Sequence, residues 1–247
     1  MPRGAAERSV SNPSPSRPVE RIDWAEVEAQ LDARGHALPG RLLAARECDA
    51  LRRLFRDDTR FRSSVDMEKH RFGRGRYRYF AYPLPRTVEA LREALYAPLA
   101  AIANRWQERL GRDERFEPTL AAFLARCHAE GQTRPTPLLL HYVAGDYNRL
   151  HQDLYGRVAF PLQVTIALSR EGAEYSGGEF LLTEQRPRMQ VRGHAVRLAL
   201  GEAIVFPNAV RPVASSRGWS RAQVRHGVSE LLSGERTTLG LIFHDAK

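Results

Sequence analysis

Cysteine is scarce in this 247-residue chain: only Cys48 and Cys127 occur, far apart and in helix-like surroundings. Two thiols so placed build neither a disulfide framework nor a thiolate zinc cluster, and each reads as a small buried hydrophobe. A reducing cytoplasm is the matching compartment. No apolar run approaches the ~20 residues that a membrane-crossing helix needs, so no membrane partner is expected. The opening stretch is rich in Ser, Pro and Arg and lacks the apolar core of a secretory leader. Residues 1–20 therefore read as a disordered tail.

Lysine is the other scarcity. Of 38 basic residues only Lys69 and Lys247 are lysines, which leaves 36 arginines. Base composition in a genome explains Arg over Lys, but not the net charge of +9. A surplus of this sign attracts polyanions, nucleic acid above all, through phosphate contacts and counterion release.

Two patterns succeed one another along the chain. In the first half apolar residues recur at helical spacing. Trp24, Val27 and Leu31 form one set, closed by Gly35; Leu51, Leu54 and Phe55 form another, after a short strand within 36–43. A long stretch runs from Val88 through Leu95 and Leu99 to Leu110, where Pro98 predicts a kink or a split. Pro118 opens a further helix that carries Phe123 and Cys127. From Leu138 the pattern changes to short Val/Ile/Leu/Thr/Phe segments separated by Gly, Ser and Pro, at 138–143, 158–168, 179–182, 196–200, 203–206, 223–228 and 237–243. Many short strands at regular spacing predict a sandwich or barrel. The expected architecture is α+β: a helical support region over 21–137 packed on a jelly-roll barrel over 138–247.

Inside the barrel stretch lies His151-Gln-Asp153, followed at a distance by His226 and ten residues later by Arg236. Two imidazoles and one carboxylate are the ligand set that holds a non-haem Fe(II) on one face and leaves the other open to a bidentate oxo acid and O2. Residues two apart on a strand point the same way, so His151 and Asp153 reach one ion, and His226 arrives from another segment. Ser233-Gly234 looks like a turn, after which the next strand folds back carrying Arg236. At ~3.3 Å per residue the guanidinium then lies roughly 10 Å from the ion, suited to gripping the far carboxylate of a five-carbon dicarboxylate. Taken alone the HxD triplet is common and carries little. His244-Asp245, the other pairing of this type, follows Arg236 too closely to share the ordering and reads as a structural strand end.

The stretch Tyr142-Val-Ala-Gly145-Asp-Tyr147 before His151-Gln-Asp153 resembles the first metal motif of the Fe(II)/2-oxoglutarate-dependent dioxygenases, particularly their prolyl-4-hydroxylase-like branch. Ser176-Gly-Gly178-Glu-Phe180 is similar to that branch's paired-glycine strand, and Gly201-Glu-Ala-Ile-Val-Phe206 to its following core strand. His226-Gly-Val-Ser with Arg236 resembles its second metal motif and co-substrate anchor. More narrowly, His151-Gln-Asp-Leu-Tyr-Gly156, Arg225-His-Gly-Val-Ser229 and Leu241-Ile-Phe-His-Asp-Ala246 resemble a bacterial group of these oxygenases proposed to act on nucleic acids. The resemblance covers about residue 138 to the end. It implies a double-stranded β-helix (cupin-like) fold, metal ligands His151, Asp153 and His226, and Fe(II), 2-oxoglutarate and O2 as requirements, with ascorbate as an optional reductant. Succinate and CO2 are the implied products. Arg236 stands where prolyl-hydroxylase-like enzymes commonly have Lys. The carboxylate of Asp153 speaks against a halogenase, in which that group is absent.

Tyr142, or Thr238 beside Arg236, is placed to offer the co-substrate a hydroxyl, although a residue of either kind is more often a plain barrel residue. For substrate, Lys69-His-Arg-Phe-Gly-Arg-Gly-Arg-Tyr-Arg-Tyr-Phe80 interleaves five basic side chains with four aromatics, a mix that contacts phosphates and stacks bases. A solvated arginine surface with inward aromatics is the other reading. Arg74, Arg76, Tyr77 and Arg225 are the candidate substrate contacts. Arg186, Arg188, Arg192, Arg211, Arg217 and Arg221 are expected around the rim. The leading expectation is hydroxylation or oxidative demethylation of a nucleobase. A protein (prolyl-type) or small-molecule hydroxylase, or a non-catalytic barrel that binds or senses, remain as alternatives.

Overall fold

A computed structural model describes residues 16–153, 156–216 and 218–247. The expected tail at 1–20 therefore lies outside the described residues, save for a short helix α1 (Ser16–Val19). Helix α2 (Trp24–Arg34) starts where the Asp23 side chain accepts from the Ala25 and Glu26 N–H groups, and ends at Gly35 with φ +77°. The left-handed value at the stop is one that glycine adopts without a Cβ clash. Strand β1 (Ala37–Arg41) and helix α3 (Ala45–Leu54) follow, then strands β2 (Phe61–Asp66), β3 (Gly73–Arg74) and β4 (Arg76–Phe80). Helices α4 (Arg86–Arg109) and α5 (Leu120–Ala129) precede the run of strands β5 (Leu138–Val143), β6 (Tyr147–His151), β7 (Leu162–Ala167), β8 (Tyr175–Gly177) and β9 (Phe180–Gln185). The last five are β10 (Arg192–Val196), β11 (Glu202–Pro207), β12 (Val210–Ser215), β13 (Gly218–Val228) and β14 (Leu231–Leu241).

Two antiparallel sheets result. The larger runs β1-β11-β7-β14-β5-β4-β2 with β8 added to β14; the smaller runs β10-β9-β13-β6-β3 with β12 added to β13. Side chains alternate between the faces of each strand. On the larger sheet Leu139, Val164, Ile166, Val205, Leu239 and Leu241 point outward into a core with Leu91, Leu95, Leu99, Ile102 and Trp106 of α4. The opposite face looks across to the smaller sheet, and there Ile204 and Phe206 of β11 form a second cluster with Phe180, Leu182 and Val224 of the smaller sheet. This is the expected α+β jelly-roll, with helices covering one sheet and a cavity between the two.

Several expectations need correction. Residues 21–137 hold more strands than the one expected at 36–43: besides β1 at that place, β2 and β4 hydrogen-bond into the larger sheet and β3 into the smaller one. Pro98 neither splits nor ends α4, which runs unbroken over 24 residues. The apolar stripe from Leu91 to Trp106 on both sides of Pro98 is buried against the sheet, and that packing outweighs one lost backbone hydrogen bond. The strand expected at 196–200 forms earlier, at Arg192–Val196, paired with β9.

The C-terminal His244-Asp245 is structural, as read from sequence. Asp245 receives Arg92 Nη2 at 2.8 Å, Tyr82 Oη at 2.9 Å and lies 3.0 Å from His128 Nε2. Arg92 also donates to the Ile242 and Phe243 carbonyls, so α4 is tied to the end of the chain. His244 Nδ1 accepts the Phe160 N–H at 3.1 Å, and burial pulls its pKa down to about 4, with Arg92 acting the same way and Asp153 and Asp245 opposing. Because the folded value lies below the unfolded one, stability is full above pH ~6.5 and is lost as pH falls toward 4. Between pH 7 and 5 urea unfolding should show the wild type losing about 2 kcal/mol more than His244→Gln. Equal losses would place the acid sensitivity elsewhere.

Candidate active site

The three sequence-predicted ligands meet. His151 at the end of β6 lies directly opposite His226 on β13 in the ladder register, with ring centroids 4.2 Å apart. Asp153 Oδ1 is 3.5 Å from His151 Nε2 and Oδ2 is 3.2 Å from His226 Nε2. One donor atom from each residue lies within 4.8 Å of the other two. Asp153 reaches the cluster from beyond the strand expected to carry it, because β6 stops at His151. Gln152 holds the chain there: its Nε2 donates to the Val224 carbonyl at 2.8 Å and the Ala209 carbonyl at 3.1 Å. Removing that tether in Gln152→Ala should weaken metal binding by roughly tenfold or more, the usual scale for supporting residues, as read by Mn(II) titration. Unchanged affinity would show that Asp153 is placed without it.

His151 is fixed through Nδ1, 2.7 Å from the Arg149 carbonyl, which leaves Nε2 facing Asp153. Its pKa is lowered by burial first and by the neighbouring His226 second. Both causes keep the imidazole neutral, the form that ligates a metal. Two neutral nitrogens and one carboxylate on one side of a cavity fit Fe(II).

Arg236 reaches the same cavity by a different route from the one expected. No hairpin turn forms at Ser233-Gly234. The chain leaves the smaller sheet after Val228 and enters the larger at Leu231, so His226 and Arg236 face each other from opposite sheets. Gly234, with φ +76°, serves close approach: a Cβ there would lie 2.0 Å from the Glu174 carbonyl oxygen on the way into β8. Arg236 is buried, its guanidinium carbon 5.6 Å from the centre of the Tyr142 ring, its partner in register on β5. Its Nη1 is buried without a hydrogen-bond partner.

The cavity encloses about 400 Å³ and is lined by His151, Asp153 and His226 at one side and by Arg236, Thr238 and Tyr142 at the other. Burial pushes the Tyr142 hydroxyl up to about 12, so it stays protonated; Asn148 Nδ2 lies 3.5 Å from it. Sequence reasoning missed Gln163 and Thr165 of β7, which also line the cavity. Gln163 Nε2 is a second buried donor without a partner. The signal was available: in Leu-Gln-Val-Thr-Ile a polar residue alternates within a central strand, which marks a face that is closed yet not apolar. Two orphaned buried donors are costly unless an acceptor fills the site, and a dicarboxylate such as 2-oxoglutarate supplies one.

Of the candidate substrate contacts, Tyr77 lines the cavity together with Tyr79, Leu140, Phe180 and Phe206. Arg74 and Arg76 are exposed and stand off it, Arg74 Nε 3.9 Å from Glu68. Arg225 is exposed on the face of β13 opposite to His226. At the mouth Arg71, Phe72, Arg149 and Leu150 take the place expected of them. Among the rim arginines, Arg211 is fully buried and bonded to Glu184 at 2.6 Å and to the Asp32 carbonyl at 3.0 Å. It pins α2 to the smaller sheet and has no free face for phosphate. Arg186 is paired with Glu184 as well, and Arg217 lies outside the described residues.

With this geometry in view, the family comparison is decisive. Residues 75–246 match the model of a family described as oxygenases catalysing oxidative methylation of damaged DNA. The chain belongs to this family of oxygenases. Two proteins of Mycobacterium tuberculosis, from strains CDC 1551 and H37Rv and both described as uncharacterised, are 54% identical over 167 residues, 68% of this chain and 72% of theirs. Among solved structures, a Pseudomonas putida prolyl-4-hydroxylase aligns with TM-score 0.51 at 16% identity over 91% of this chain and 99% of its own. A Burkholderia pseudomallei oxidoreductase of the 2-oxoglutarate–Fe(II) oxygenase family aligns with TM-score 0.53 at 16% identity over 92% and 93%. The oxygenase therefore has the fold of the 2-oxoglutarate–Fe(II) enzymes, and its His151, Asp153 and His226 are a candidate iron site of the matching type. Fe(II), 2-oxoglutarate and O2 are the cofactor set that this fold and ligand set imply. No helix among the described residues is long and apolar enough to cross a membrane.

Proposed function

We propose that this oxygenase oxidises a base of nucleic acid, with His151, Asp153 and His226 holding Fe(II) and Arg236 holding the far carboxylate of 2-oxoglutarate. Thr238 and Tyr142 offer that carboxylate hydroxyls. When bound, Fe(II), 2-oxoglutarate and O2 would supply the oxidising power, with succinate and CO2 as the products of the oxo acid and one oxygen atom left for a C–H bond of the substrate. The protein's own work is to orient the oxo acid, exclude water and present the substrate to the open side of the metal.

The observation that carries the substrate class is the aromatic-walled cavity of Tyr77, Tyr79, Phe180 and Phe206 above the ligand triad, opening between Arg71 and Arg149. A base turned out of its stack needs flat apolar walls, and its backbone needs cations at the entrance. The damaged-DNA substrate named for the family points the same way. The two free, buried thiols suit a reducing compartment such as the cytoplasm.

Succinate formed from 2-oxoglutarate should depend on Fe(II) and rise when alkylated oligonucleotide is added. Oligonucleotide affinity should fall steeply as salt is raised. Succinate formation that ignores Fe(II) would reject the chemistry. Absence of binding at low salt, with turnover stimulated by peptide instead, would reject the substrate class.

A further inference from the structure

The turn that frames the cavity mouth is built to hold one aromatic ring in the open. Between β2 and β3 the chain turns over Met67, which is fully buried beside Tyr142, Tyr175, Val228 and Leu231. The Met67 N–H donates to the Gly75 carbonyl, and its own carbonyl accepts from the N–H groups of His70 and Phe72. Arg71 sits at φ +59°, a left-handed conformation that non-glycine residues adopt only where the surroundings enforce it. The Phe72 carbonyl accepts the Arg149 N–H at 2.8 Å, which locks the turn to β6. Gly73 lets the two backbones meet, since a Cβ there would lie 2.3 Å from the Tyr147 carbonyl oxygen.

Phe72 is the product of this bracing. It is 48% exposed, lines the mouth, and stacks on the His70 ring at 5.4 Å between centroids and 21° between planes. A single exposed phenylalanine is ordinary on a protein surface. This one is held rigidly over a reactive cavity and lies between Arg71 and Arg149, neither of which has a carboxylate within 4.0 Å among the described residues. Arg92, Arg109, Arg126 and Arg211, by contrast, are committed to acidic partners.

Resting on the nucleic-acid reading, we propose that Phe72 is the stacking residue for the base next to the one in the cavity, with Arg71 and Arg149 on the flanking phosphates, and that the enzyme prefers single-stranded to double-stranded nucleic acid. In a duplex both faces of every base are already stacked, and the target base must first be extruded. An unpaired strand offers open faces to Phe72 and reaches the cavity without that cost.

The test is fluorescence anisotropy with a labelled oligonucleotide of about 12 nucleotides, single-stranded and as the duplex of the same sequence, across a salt series. Wild type should bind the single strand more tightly. Phe72→Ala should weaken that binding by roughly 5- to 100-fold and keep the salt slope, whereas Arg149→Gln should reduce the slope by about one. Phe72→Trp should keep the affinity and show quenching on binding beyond that of wild type. If wild type binds but Phe72→Ala binds equally well and the Phe72→Trp emission does not move, the stacking role is wrong and the nucleic-acid reading stands. Tighter binding of duplex overturns the strand preference. Failure of wild type to bind either form at low salt overturns both the inference and the reading beneath it.

Discussion

His151→Ala, Asp153→Ala and His226→Ala should each lower 2-oxoglutarate turnover by on the order of 10³-fold or more, equivalent to at least about 4 kcal/mol of lost stabilisation. Asp153 bridges the two imidazoles at 3.5 and 3.2 Å, so no remaining pair can hold an ion on one side while leaving the other open. His151 is partly exposed at the end of β6, and its removal should spare the fold. The informative readings are succinate yield and bound metal per chain, taken together with an unchanged melting temperature. A His151→Ala protein that keeps both metal and turnover would mean that the cluster is not the reacting centre.

Loss of the Arg236 guanidinium is the second large effect. It is buried, projects from β14 into the cavity and keeps Nη1 without a partner, so a carboxylate bound there meets a desolvated charge. Truncating one member of such a pair costs about 2–5 kcal/mol. Arg236→Gln should therefore raise the KM for 2-oxoglutarate by roughly two orders of magnitude. Arg236→Lys should lose less, because it keeps the charge but not the planar two-pronged donor. A control separates anchoring from general damage: a 2-oxo acid without the far carboxylate should be a poor co-substrate for wild type, and Arg236→Gln should narrow that gap. An equal loss for both acids would assign Arg236 to the fold instead.

The candidate ligand cluster was legible in the sequence because its chemistry is confined to few residue types. His and Asp two apart, a distant His and a following Arg leave little room for another arrangement. The path between them was not legible. Ser233-Gly234 has the composition of a turn, yet Gly234 is needed because β8 approaches too closely for a Cβ, and the chain changes sheet after Val228. Charge also hid structure. In Arg76-Tyr-Arg-Tyr-Phe80 the arginines suggested a binding surface, while the period of two made it a strand, with Tyr77 and Tyr79 facing the cavity and Arg78 lying over the Phe55 and Phe61 rings. Buried arginines mislead in the same way. Arg211 looks like a rim cation in sequence, and only the fold brings Glu184 to it. Long-range partners of this kind leave no local trace.

The most direct examination of the site is an anaerobic crystal structure with Fe(II) and 2-oxoglutarate, with the metal located by its X-ray absorption edge. The account predicts one iron bound by His151 Nε2, a carboxylate oxygen of Asp153 and His226 Nε2, and a carboxylate of the oxo acid on the Arg236 guanidinium. Iron held by other side chains, or the oxo acid lodged away from Arg236, would contradict it.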